Sequence, residues 1–150
     1  SHDSEKSFWD VIKLSKAPII CSHSSSMAMC KHDRNLTDEQ LKALAQNGGV
    51  AQVCLLDRYI NEDYKNASLT DAIEHIDHMV KVAGIDHVGI GSDFDGGGGI
   101  IGCESDNDFI QITVKLIEKG YTEEDIAKIW GGNLMRVLDE VQATASVKTL

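Results

Sequence analysis

Apolar positions along this chain recur at two different spacings, and the switches between them mark out its elements. Phe8, Val11, Ile12 and Leu14 follow Ser4 at partly helical spacing, so residues 4–15 are expected to form a helix capped by that serine. Pro18 ends the connection, and the brief apolar run behind it predicts a buried strand at residues 19–22. Residues 24–34 are polar and mixed, as a loop is. Thr37-Asp38-Glu39-Gln40 has the form of a capping box and opens a second helix, with Leu41, Leu44 and Ala45 on its inner face. Gly48-Gly49 stops that helix, and Val50 to Leu56 is the second strand. A long polar loop over 57–67 leads to Ser68, which begins a third helix carrying Ala72, Ile73, Ile76, Met79, Val80 and Val82 and ending at Ala83-Gly84. Val88-Gly89-Ile90-Gly91 is the third strand and runs into Ser92-Asp93-Phe94-Asp95-Gly96. After the glycine-rich stretch Gly96–Gly102 come a helix over 109–119, a short helix over 123–130 capped by Thr122, and a break at Gly131-Gly132-Asn133. A last helix follows over about residues 134–142, and the final residues read as frayed.

Helices therefore alternate with strands that recur roughly every 30 to 37 residues, the size of a βα unit. Helical crossovers between consecutive strands imply a parallel sheet, and short aliphatic strands with few charges suit one covered on both faces. Three strands, with the stub of a fourth at Ser1-His2, make an α/β fold that is half of a (β/α)8 TIM-type barrel, with its helices outside. A small open doubly wound sheet is the alternative. It is weakened because Gly96–Gly99 has neither a following Lys-Ser/Thr nor a G-x-G-x-x-G spacing. The chain starts Ser1-His2-Asp3 without Met, and the expectation is a fragment: one domain over 1–150, the C-terminal part of a barrel whose N-terminal half lies elsewhere.

Composition narrows the partners. The formal net charge of -10 disfavours nucleic acid and anionic membrane surfaces, which require basic patches. No apolar run approaches the roughly 20 residues of a membrane helix, so no membrane partner is expected. Cys21, Cys30, Cys54 and Cys103 form no C-x-x-C pair and read as free thiols in a reducing compartment, which makes a cytoplasmic location the expectation.

Candidate chemistry collects where strands end, because parallel α/β sheets gather ligands at their C-terminal edge. His2, His23 and Asp93 mark three such exits, and imidazole and carboxylate are both zinc donors. Asp93 could instead cap the turn that follows it. His75 and His78 form H-x-x-H on one helical face, where they could share a metal or simply make hydrogen bonds at the helix surface. His32 and His87 carry no further signal. Arg34, a cation beyond a strand exit in an acidic chain, suits bidentate carboxylate binding or a plain surface position.

Five segments resemble the membrane dipeptidase (renal dipeptidase) family of zinc peptidases: SHDSEKSFWDV at 1–11, APIICSHSS at 17–25, RNLTDEQLKALAQNGG at 34–49, HIDHMVKVAGIDHVGIGSDFDG at 75–96 and GYTEEDIAKIWGGNLMRVL at 120–138. The likeness covers nearly the whole chain in one register. It implies a (β/α)8 barrel with two zinc ions at its C-terminal face and a dipeptide as substrate. In that likeness His2 and His23 bind one zinc, Arg34 binds the substrate carboxylate, Tyr59 lines the pocket, and Asp93 binds the substrate amine and transfers a proton. A hydroxide bridging the zincs would attack the peptide carbonyl. The remaining metal ligands belong to the N-terminal half, expected as a second chain or segment, and the enzyme is expected to be a homo-oligomer. Gly97–Cys103 departs from the family, which usually carries prolines there, and Asp57-Arg58 stands before Tyr59 where many members resemble Asn-Phe. An inactive half-barrel and a barrel hydrolase of non-peptide amides remain the alternatives.

Overall fold

The computed structural model describes residues 1–146. Helix α1 (Glu5–Leu14) begins at Ser4, whose hydroxyl accepts from the Ser7 N–H. Strand β1 (Ile20–Cys21) follows, then α2 (Asp38–Gln46), opened by the reciprocal Thr37/Gln40 capping box. Strand β2 (Val50–Val53) leads through the one-turn helix α3 (Asp57–Ile60) to α4 (Leu69–Ala83), which Ser68 and Asp71 cap in the same reciprocal way. Then come β3 (Val88–Ile90), α5 (Phe109–Glu118), α6 (Glu123–Ala127) and α7 (Asn133–Ser146).

The strands form one parallel sheet in the order β1-β2-β3, with Ile20 opposite Val50, and Ala51 opposite Val88. Leu41, Leu44, Ala51, Val53, Ile76, Met79 and Val88 are all buried between this sheet and its crossover helices. Fully burying a Leu or Ile side chain stabilises by roughly 1.5–3 kcal/mol. The polar atoms of this core are used: Asn133 donates from one amide to the carbonyls of Ile85 and Val88, at 2.7 and 2.8 Å, fixing α7 to the base of β3. Among the described residues, no strand pairs with the other edge of β1, where Ile20 stays 44% exposed. None of the described helices is long and apolar enough to cross a membrane.

Several boundaries differ from the sequence reading. All three strands shorten, because a ladder lasts only while its neighbour runs alongside. Leu55 and Leu56 leave β2 for the glycine-rich loop: Gly99 N–H donates to the Leu55 carbonyl at 2.8 Å. The loop over 57–67 holds α3 and a second short turn at Tyr64–Asn66, since a single turn is too short to show a period. Ser1-His2 forms no ladder and is tied down by side chains instead. The break at Gly131 is a kink inside continuous winding, and α7 runs on to Ser146. The expected fraying reaches into 147–150, outside the described residues.

Candidate active site

Sheet curvature assembles the site. A Cβ on Gly91, just past β3, would collide with the Ser22 carbonyl just past β1, and would stand 3.0 Å from the Cβ of Gln52 on β2 between them. Only glycine allows the exits of the two outer strands to come together in this way. His23 and Asp93 consequently face one open cleft of about 600 Å³, whose wall is Phe109 and Trp130. Phe109 packs on Phe94 at 5.4 Å and on Trp130 at 5.3 Å, and Trp130 donates to Thr113 Oγ1 at 2.9 Å. A second cleft, of about 650 Å³, lies along the free edge of β1 and takes in His2, Phe8, Ile20 and Arg34.

His2 and His23 stand between the two clefts with their Nε2 atoms 3.0 Å apart and their rings tilted by 60°. Ser22 Oγ lies 2.9 Å from His23 Nδ1, so an Nδ1–H donated to that hydroxyl leaves the Nε2 lone pair free. Two nitrogens at about 2.0–2.1 Å from a tetrahedral zinc are about 3.3–3.4 Å apart, so this pair needs only a small opening to hold one ion. The donor chemistry therefore fits. Burial lowers the pKa of His23, Asp93 opposes that shift, and Arg34 and His2 reinforce it. The balance keeps the imidazole neutral, as a ligand must be. Among the described residues no group of three His, Cys, Asp or Glu side chains could hold a metal, so the pair is two donors and not a closed shell.

Arg34 lies beside this pair. Its Nε donates to the Ser1 carbonyl at 2.7 Å, and Ser1 Oγ accepts from the His23 N–H at 3.0 Å, so one residue links clamp to histidine. Nη1 donates to Tyr59 Oη at 3.3 Å, and the guanidinium lies over the Tyr59 ring at 5.4 Å. Nη2 is buried with no partner. Leaving a charged donor unpaired costs more than the roughly 1–3 kcal/mol of a neutral one, and an anionic ligand would remove that cost.

Asp93 is the one non-glycine residue at positive φ among the described residues (φ 63°, ψ 33°). Aspartate tolerates this left-handed region better than most, and such strain clusters at functional sites. Its side chain does not cap the turn; its carbonyl does the closing, accepting from Gly96 N–H at 3.0 Å and Gly98 N–H at 2.8 Å. Cys54 Sγ lies 3.8 Å from Asp93 Oδ2. Burial pushes the Cys54 thiol up to about 11, so it faces the carboxylate as a neutral S–H.

The two histidines of H-x-x-H part company. His78 Nε2 bonds Asp38 Oδ1 at 2.7 Å on the outside of α4. His75 is buried, not at the helix surface, and both its nitrogens are taken by backbone groups, so the pair shares no metal. His32, which carried no signal in the sequence, packs on Tyr59 at 4.4 Å and accepts the Arg34 N–H at Nδ1. Asn35 was also missed. Its amide donates at 2.8 Å to the carbonyls of both Cys30 and Tyr59. The only hint of either was adjacency to Arg34. All four cysteines are free and buried, as read.

A parallel βα sheet with paired imidazoles, an arginine and a carboxylate at its C-terminal edge has the form of the site-bearing face of a barrel enzyme. The family model of the membrane dipeptidases (peptidase family M19) matches residues 1–150, and the chain belongs to that family. It is 42% identical over 147 residues to dipeptidase ataJ of Aspergillus terreus, covering 97% of this chain and 36% of that one. It is 36% identical to dipeptidase tcpJ of Claviceps purpurea, covering 97% and 35%. A Rhodobacter sphaeroides metallopeptidase, solved with a phosphinate mimic of the dipeptide L-Ala-D-Ala, superposes with a TM-score of 0.88 at 31% identity, over 93% of this chain and 41% of that one. The probable dipeptidase PvdM of Pseudomonas aeruginosa gives 0.87 and 31%, over 93% and 49%. The fold is thus about half of a TIM-type barrel, and the chain spans about a third of the curated relatives' length.

Proposed function

We propose that this chain is the C-terminal half of a zinc-dependent dipeptidase, whose N-terminal half, as a separate chain or a preceding segment, completes the barrel and the ligand shell. The observation that carries the proposal is the 3.0 Å approach of His2 Nε2 to His23 Nε2 at the edge of the sheet, with the unpartnered Arg34 Nη2 beside them. His2 and His23 would hold one of two zinc ions. Zinc held there would supply Lewis acidity and an activated water near neutral pH. Arg34 takes the C-terminal carboxylate of the dipeptide, and Tyr59 orients the guanidinium from below. Asp93 receives the free ammonium group and passes a proton to the leaving nitrogen. Phe109 and Trp130 would line the amine side. The four free thiols support a reducing compartment, the cytoplasm. Self-association of the whole enzyme is part of the proposal and is checked by light scattering.

Both charged ends of the substrate are read in this scheme. The intact enzyme should cleave a free dipeptide and should lose at least about tenfold in kcat/KM when the carboxylate is amidated, the loss expected for one charge-assisted hydrogen bond. Equal rates on the dipeptide, its amide and a simple aliphatic amide would favour a non-peptide amidase instead. The 150-residue chain purified alone should be inactive.

A further inference from the structure

His75 belongs to neither the metal pair nor the substrate contacts, yet it is 1% exposed in the middle of α4. Its ring spans two loops. Nδ1 lies 3.0 Å from the Ser26 backbone nitrogen, and Nε2 lies 3.0 Å from the Ile60 carbonyl oxygen. A backbone N–H can only donate and a carbonyl can only accept. The bonds therefore demand one form of the ring: neutral, with Nδ1 bare and Nε2 protonated. Burial depresses the imidazole pKa to about 4, so that form persists across the neutral range.

Ser26 opens the loop that ends in Arg34: Met27 N–H returns to the Leu36 carbonyl, and Leu36 N–H to the Ser25 carbonyl, both at 2.8 Å. Ile60 closes the single turn of α3 that presents Tyr59. The two loops also meet where Cys30 Sγ donates to the Arg58 carbonyl, where His32 packs on Tyr59, where Asn35 reaches the Tyr59 carbonyl, and where Arg34 Nη1 reaches Tyr59 Oη. From α4, at the base, His75 bonds to both loops.

The geometry points to His75 as a positioning residue for the carboxylate clamp: by bonding Ser26 on one side and Ile60 on the other, it sets the spacing at which Arg34 and Tyr59 face a dipeptide carboxylate. This rests on the dipeptidase reading. His75 touches no substrate and acts only through the two loops. Its loss should weaken carboxylate binding and leave the groups at the scissile bond in place.

Two substitutions separate the bonds. In His75→Asn the amide oxygen stands near the Nδ1 position and keeps the Ser26 bond; in His75→Gln the amide nitrogen stands near Nε2 and keeps the Ile60 bond. Both are tested in the intact enzyme, with wild-type cleavage of a free dipeptide established first; an inert wild type would sink the dipeptidase reading itself. On the free dipeptide, KM should rise roughly tenfold in each variant and further in His75→Ala, with kcat within about threefold of wild type. On the matching dipeptide amide, KM should stay unchanged, so the preference for a free carboxylate contracts. An equal loss on both substrates, or an unchanged KM for the dipeptide, would overturn the assignment. So would loss of folded circular dichroism in both Asn and Gln variants, because His75 would then serve the core and not the clamp.

Discussion

Asp93 and Arg34 flank the same histidine pair, but they are held in place by opposite means. The backbone of Asp93 is fixed within six residues of chain, by a left-handed conformation and bonds from Gly96 and Gly98, and a glycine at 96 leaves room for its carboxylate, which only Cys54 Sγ meets from farther off. Arg34 is fixed from far along the chain, by Ser1, by Tyr59 and, through its loop, by the Asn35 bond to the Tyr59 carbonyl and by His75. A locally built turn survives changes elsewhere and fails when its own residues change. A clamp assembled from several elements tolerates local change and loosens when a distant bond is cut.

The most damaging test of the first half is Asp93→Asn in the intact enzyme. Asparagine keeps the left-handed backbone but loses the charge. Turnover of a free dipeptide should fall by about 10²- to 10⁴-fold, the usual worth of a general acid–base group, with little change in thermal stability. Full turnover would remove Asp93 from the chemistry.

The second half should show in the acid limb of stability. His75 has an ordinary pKa of 6.5 when unfolded and about 4 when folded, chiefly through burial, with the Ile60 carbonyl and Asp71 opposing the shift and His78 adding to it. The unfolded chain therefore binds the proton first. The contribution of His75 is complete above about pH 6.5 and is lost as pH falls towards 4, a difference of about 3 kcal/mol. Between pH 7 and pH 4, urea titrations should show wild type losing about 3 kcal/mol more stability than His75→Gln, and parallel acid slopes would contradict it.

Gly96→Ala sharpens the contrast. Gly96 is not at positive φ, so alanine fits the backbone and its nearest obstacle is the Asp93 carboxylate. A displaced carboxylate should cost about 10²-fold in kcat while carboxylate-dependent KM stays near wild type. The smallest effect belongs outside the site. His78→Asn removes a half-buried contact with Asp38 and should change stability by about 1 kcal/mol and leave turnover unaltered.

What the sequence allowed to be read divides along the same line. The place of Asp93 just past a strand, the order of helices and strands, the capping box at Thr37 and the helix starts at Ser68 and Thr122 were legible, because each is written in neighbouring residues. The aromatic wall of Phe109 and Trp130, the reach of Asn35 to the Tyr59 carbonyl and the inward turn of His75 were not, since each depends on a partner about 15 to 50 residues away. H-x-x-H shows the limit most clearly: helical spacing places two rings on adjacent positions, but only packing decides that one is buried against Ile60 and the other bonds Asp38 at the surface. Gly91 was legible as a strand end but not as the point where two strand exits touch.

The joint role of His2 and His23 is tested most directly by counting bound zinc in the intact enzyme by mass spectrometry of metals, for His2→Ala, His23→Ala and the double variant. If the two rings grip one ion, each single variant loses the same equivalent of zinc and the double variant loses no more. Zinc loss that adds across the two sites, or a full complement in all three proteins, would contradict it.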